Sequence, residues 1–318
     1  MSQLTHLQSL FPNQSDKYSS DAFLIVDNQT LSFSNVEELI NIFSSSLVKL
    51  GFKKGDRVAW LLPNSLEAIV TTFACYKLGL IAVPLNYRYV ANDIDYAINK
   101  TKPKVVVYHD TRTKEIESLK QIDDLIRICC GDSANEPLTF NKLVKVTVAE
   151  DVTFPCQEND PALIMFTSGS TGKPKGVTFT HSNLHHAIQN SRDLFNFNRW
   201  DTVLICKPLS HAGGLLTQFS AALKGGAKIV LENKLHPKEV AEKINTHNIT
   251  EYGMLAGDLQ DFIEYFESHP TSMPSLNNGI GSGDKVKKDL GVDLLERQEI
   301  FLNQSVRGSE NAKEASLW

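Results

Sequence analysis

Residues 166–177 read FTSGSTGKPKGV, which packs hydroxyls, glycines and two lysines into one short run. Glycine frees the backbone to turn so that successive N–H groups point at one spot, and hydroxyl and ammonium groups add further donors. Such a concentration of donors suits a polyanion such as a phosphate chain. It does not suit a core segment, because the hydroxyls compete with backbone ladders and the glycines lose more entropy on ordering. The run is therefore expected to be a loop. A Walker-type phosphate loop needs a glycine separated by four residues from the Gly-Lys pair and a Ser or Thr directly after it. Thr167 and Pro174 stand in those places around Gly172 and Lys173, so Walker chemistry is disfavoured.

Something rigid must hold this loop. Upstream, Ala162 to Phe166 is an apolar run of strand length, and downstream a helix is predicted from Asn183, so the loop is expected between strand and helix. Further toward the N-terminus, Phe23–Val26 and Leu31–Phe33 read as short strands, with Ser34 and Glu37 as the capping box of a helix that Gly51 stops. Strand signals at Arg57–Leu62, Ile81–Leu85 and Val105–Tyr108 alternate with helices over residues 65–78 and 91–100. The pattern resumes with strands at Thr202–Cys206 and Ala227–Leu231 and helices over 213–224 and 237–245. That alternation predicts an α/β protein, with layered doubly wound sheets and helices on both faces. Residues 110–159, broken by Gly131, Pro137 and Pro155, read as an irregular connection.

Composition narrows the partners. A chain of 318 residues with 42% hydrophobic content has room for a large core, and a formal charge of −5 gives no electrostatic support for nucleic acid. The five cysteines lack metal-ligand spacing and read as reduced thiols of a cytoplasmic protein. The most apolar stretch, residues 66–85, carries Glu67 and Lys77 and is broken by Gly79 and Pro84, so no integral membrane segment is expected.

Thr167 to Gly176 closely resembles the phosphate loop of the adenylate-forming superfamily, which includes acyl- and aryl-CoA ligases, peptide-synthetase adenylation domains and luciferases. Residues 55–58, 77–86 and 225–227 are also similar to that family, and Pro208–Leu215 resembles the segment that lines its acyl pocket. The resemblance implies ATP-dependent activation of a carboxylic acid as acyl-AMP with Mg²⁺, then transfer to CoA. It assigns phosphate binding to Thr167, Ser168, Gly169, Ser170, Thr171, Gly172, Lys173 and Lys175, and makes Lys175 and His211 catalytic or pocket-gating. Amino-acid-activating members present an aspartate in the pocket segment. None stands near His211, which favours a fatty or aromatic acid without an α-amino group.

The resemblance thins toward the C-terminus. Residues 304–310, QSVRGSE, align with the family's Tyr-Gly-x-Thr-Glu motif through Ser309 and Glu310, which implies a nucleotide contact at Ser309 and a catalytic, Mg²⁺-binding role for Glu310. Val306 and Arg307 replace the aromatic and glycine positions, and residues 281–284 match the adenine-side turn only loosely. The expected organisation is a first α/β subdomain over residues 1–155, a second over 156–300 carrying the phosphate loop, and a divergent tail over 301–318, without the family's small C-terminal domain. A partial ligase follows from this. The alternative is a non-catalytic nucleotide- or acyl-binding module of the same descent, and uncovered apolar surface would favour self-association.

Overall fold

The computed structural model describes residues 5–120, 125–131, 137–145, 152–167 and 174–282. Helix α1 (Leu10–Tyr18) leads into the hairpin β1 (Ala22–Val26) and β2 (Gln29–Ser32), and then α2 (Phe33–Lys49). Next come β3 (Arg57–Leu61), α3 (Leu66–Lys77), β4 (Ile81–Pro84), α4 (Ala91–Thr101) and β5 (Val105–His109). A short 3-10 turn and α5 (Thr113–Glu117) precede β6 (Ile126–Cys130) and α6 (Phe140–Val144). The chain continues through β7 (Pro161–Thr167), β8 (Lys175–Thr180), α7 (His181–Phe195) and β9 (Thr202–Ile205). After α8 (Ala212–Gly214), a π-helical turn (Leu215–Ser220) and α9 (Ala221–Gly225) come β10 (Lys228–Leu231), α10 (Pro237–His247), β11 (Glu251–Leu255), α11 (Ala256–Ser268) and β12 (Asn278–Ser282).

Two six-stranded sheets result, in the orders β12-β11-β9-β10-β1-β2 and β6-β5-β3-β4-β7-β8. Each is parallel except for one antiparallel edge strand, β2 in the first and β8 in the second. The two-residue period of the strands sorts side chains between cores. Val203 and Ile205 of β9, and Val58 and Trp60 of β3, enter one shared core with Phe43, Phe73 and Phe219 from the helices between the sheets. Leu204 and Val230 face the opposite way, against Val240 and Ile244 of α10 and Phe262 of α11. Ala59 and Leu61 likewise face Ile94 and Ile98 of α4. The layers therefore run helix, sheet, helix, sheet, helix, the α/β arrangement expected from the alternation.

Several local expectations are corrected. The N-cap of α2 is Ser32, whose hydroxyl accepts from Asn35 N while the Asn35 side chain accepts from Ser32 N, so Phe33 is helical and Ser34 is not the cap. The stretch expected to be an irregular connection contains β6, which extends the second sheet beside β5. Beyond the last helix expected, β11, α11 and β12 continue the first sheet. The sheets also exchange chain segments across residue 155: β1 pairs with β10 and carries β2 at its other side, and β7 and β8 complete the sheet of β3 to β6.

Candidate active site

The expected loop falls in the sequence between two antiparallel strands, β7 and β8. Strand β8 runs antiparallel to β7 before α7 begins, so the run does not pass directly from strand to helix. The correction has a local cause: Lys175 to Thr180 alternates polar and apolar residues in a mostly exposed edge strand, a weak signal beside the glycine-rich run. Thr167 and Lys175 are opposite one another at the mouth of the hairpin, and the Thr167 hydroxyl donates to the Lys175 carbonyl at 3.5 Å. Both residues are exposed. The Tyr96 hydroxyl of α4 donates to the Pro174 carbonyl at 3.2 Å and anchors the returning strand. Ser168, Gly169, Ser170, Thr171, Gly172 and Lys173 lie outside the described residues, as do Ser309 and Glu310.

Because β3, β4 and β7 are parallel, the end of β7 at Thr167 lies at the edge where β3 also ends. Asn64 stands there, 6% exposed, and joins the two sheets. Its amide nitrogen donates to the carbonyls of Lys207 at 3.0 Å and Glu232 at 2.8 Å, and its oxygen accepts from Leu209 N at 2.8 Å. Its own backbone N–H donates to the Asn233 side chain at 3.1 Å. The end of β9 and the following pocket segment are thereby fixed against the edge that carries the hairpin.

His211 is exposed in that segment and precedes α8, with its N–H donating to the Pro208 carbonyl at 3.0 Å. Gly214 allows the chain to double back here, since a β-carbon at that position would sit 2.3 Å from the Pro208 oxygen. Thr167, Lys175 and His211 thus lie on the strand-end edges that Asn64 couples. A cavity of about 320 Å³ on the far face of the first sheet, lined by Lys234, His236, Tyr252, Asp258, Asp261 and Phe262, contains none of the expected site residues.

Two buried polar residues flanking Pro208–Leu215 escaped the sequence reading. Lys207 is 4% exposed, and burial pushes its ammonium down to about 8, with Asp258 opposing the shift. The only signal was a lysine set between an apolar strand and Pro208. Gln218, in the π-helical turn, is 1% exposed, and neither side-chain polar atom has a hydrogen-bond partner. Its amide presses on the backbone of β11, where a β-carbon on Gly253 would lie 1.5 Å from the Gln218 nitrogen. A π-turn carrying an unpaired buried amide is an arrangement often kept for function.

Residues 11–299 match the family of AMP-binding enzymes, and the chain belongs to that family. It is 30% identical over 196 residues to the long-chain-fatty-acid–CoA ligase FadD13 of Mycobacterium tuberculosis, covering 61% of this chain and 38% of that protein. It is 27% identical over 279 residues to a feruloyl-CoA synthase of an Amycolatopsis species, covering 86% and 53% respectively. The chain thus spans about half the length, or less, of these curated relatives. In fold it superposes on the N-terminal domain of FACL13 from Mycobacterium tuberculosis with a TM-score of 0.82 at 22% identity, covering 97% of this chain and 74% of that one. The anthranilate CoA ligase AuaEII, solved with anthranoyl-AMP, gives a TM-score of 0.82 at 18% identity, covering 94% and 59%.

Proposed function

We propose that this chain provides the carboxylate-activating part of an acyl- or aryl-CoA ligase. The observation that carries the reading is the β7–β8 hairpin: Thr167 and Lys175 are paired at its mouth, with the run of hydroxyls and glycines between them. In the reaction a carboxylate oxygen attacks the α-phosphorus of ATP, and the bond from that phosphorus to the bridging oxygen breaks. Pyrophosphate leaves, with no net proton transfer. Carboxylates are weak nucleophiles and negative charge accumulates on the phosphates, so preorganised positive charge and N–H donors lower the barrier most. Lys175 and the donors of the loop would supply them. Magnesium, when bound, supplies further charge neutralisation; among the described residues no group of three His, Cys, Asp or Glu side chains is arranged to hold a metal.

His211 would border the acyl pocket, and the absence of an acidic residue beside it supports an acid without an α-amino group. CoA would be the acyl acceptor. No helix among the described residues is long and apolar enough to cross a membrane. Exposed Leu194 and Trp200 fit a tendency to self-associate, which light scattering would measure.

The test is carboxylate-dependent release of pyrophosphate from ATP, with fatty and aromatic acids compared. Release by the wild-type chain that falls about 100-fold in Lys175→Ala supports the reading. A second reading, a non-catalytic nucleotide- or acyl-binding module, draws on Val306 and Arg307 in the place of an aromatic residue and a glycine. Saturable nucleotide binding without release would favour it.

A further inference from the structure

At the opposite edge of the first sheet, where β9 and β10 begin, α1, α7 and α9 enclose a cleft of about 280 Å³. Lys17, Arg192 and Lys224 line it, together with the amides of Asn13, Gln14 and Gln189. Each cation occupies the last turn of its helix, a position the helix dipole favours for a positive charge. The dipole explains one cation per helix. It does not explain why three helices direct theirs into the same space, since like charges at close range repel.

The charge of the cleft is only partly matched. Arg192 donates to Asp193 at 3.0 Å, and the Gln189 amide donates to the other oxygen of that carboxylate at 2.7 Å. Among the described residues, no carboxylate pairs with Lys17 or Lys224. Lys224 is half-buried, and burial lowers its ammonium, with Arg192 and Lys17 adding to the effect and Asp193 opposing it. Gln14 ties the walls together by donating to the Lys224 carbonyl at 3.1 Å. A concave, amide-lined cluster of cations held together without a matching set of anions is arranged for an anionic ligand. His211 and Lys207 follow the C-terminal end of β9, whereas this cleft lies before its start, so the two sites are separated by the strand.

We propose that this cleft is a second anion site, taking a small phosphate group through Lys17, Lys224 and Arg192, apart from the phosphate hairpin. The phosphate belongs either to a free phosphate compound or to the headgroup of an anionic phospholipid. Beside the cleft, Arg199 stacks on both Tyr18 and Trp200, and Trp200 is 77% exposed, which would suit contact with a lipid interface.

The test uses the 318-residue chain with inorganic pyrophosphate in one arm and vesicles of phosphatidylglycerol, with phosphatidylcholine as control, in the other. Calorimetry on Lys175→Ala, which weakens the hairpin site, isolates the second site. The free-phosphate form predicts pyrophosphate binding that survives in Lys175→Ala and weakens about tenfold when Lys17→Gln and Lys224→Gln are added, while Lys17→Arg with Lys224→Arg retains it. The headgroup form predicts cosedimentation with phosphatidylglycerol, not phosphatidylcholine, with the same dependence on these lysines. Acetylation footprinting of the protein without these lysine substitutions reads the cleft directly: pyrophosphate or anionic vesicles should protect Lys17 and Lys224. Absence of protection in both arms, or binding in both arms that the glutamine variant leaves unchanged, overturns the proposal.

Discussion

The β7–β8 hairpin and the surroundings of Pro208–Leu215 are built by opposite means. The mouth of the hairpin is an exposed edge, with Thr167 and Lys175 in solvent and paired with one another across eight positions. Around Pro208–Leu215 the buried polar groups are placed by residues far away in sequence: the Lys207 carbonyl and Leu209 N–H bond to Asn64, and the unpaired Gln218 amide packs against the β11 backbone. A ligand's charge can be met at an exposed edge with little stake in folding. A shaped apolar pocket requires burial, and each buried polar group then weighs on stability. Substitutions in the hairpin should therefore alter chemistry without stability, and those in the pocket region should alter stability first.

The largest expected effect is on the buried side. Asn64→Ala removes the partners of the Lys207 and Glu232 carbonyls and of Leu209 N, and should lower unfolding stability by about 3 kcal/mol. Urea unfolding at constant m-value measures it. A loss below about 1 kcal/mol would mean that hydrophobic contact alone joins the sheets there. Lys175→Ala is the converse. Its expected loss of about 100-fold in pyrophosphate release corresponds to roughly 2.7 kcal/mol in the barrier, with the urea midpoint unchanged. A shifted midpoint would show that the hairpin also supports the fold and would erase the contrast.

A buried charge sharpens it further. Glu251, at the start of β11, is 4% exposed, and burial pushes its carboxyl up from 4.5 to about 7 despite the 2.6 Å hydrogen bond that Asn278 donates. The folded protein thus keeps a proton that the unfolded chain releases near pH 4.5, so this group's contribution to stability declines as pH rises from about 4.5 to about 7. Glu251→Gln should remove that decline and gain on the order of 2 kcal/mol at pH 8. Thermal melts across the window would show equal slopes in both proteins if the carboxyl is in fact hydrated.

The same contrast explains what was legible in the sequence. The strands β3, β4, β5, β9 and β10 declared themselves because both faces are buried and their apolar runs are continuous. The run from Thr167 to Gly176 was conspicuous because its density of hydroxyls and glycines lies in consecutive residues. Strand β8 escaped because an exposed edge strand leaves little hydrophobic trace, and β6 because its five residues lie in a polar surrounding. Asn64 could be seen as a turn residue, but its partners stand about 145 to 170 positions away, and no local pattern carries that. The exchange of β1, β2, β7 and β8 between sheets is likewise a matter of pairing, which composition does not encode.

Gln218 gives the smallest effect and the finest test of the comparison. Its amide is buried without a partner, so the free protein bears a desolvation cost that a residue of similar length without polar hydrogens would avoid. Gln218→Met keeps the length needed to pack against Gly253 and should raise stability by about 1 kcal/mol, read from the unfolding midpoint. If the amide is retained to meet an acyl substrate, the same substitution should change relative release rates among carboxylic acids while Lys175 chemistry is preserved. A more stable protein with an altered acid preference would place Gln218 in the pocket wall. A more stable protein with the same preference would make the π-turn a packing feature, and would confine specificity to other residues of the pocket segment.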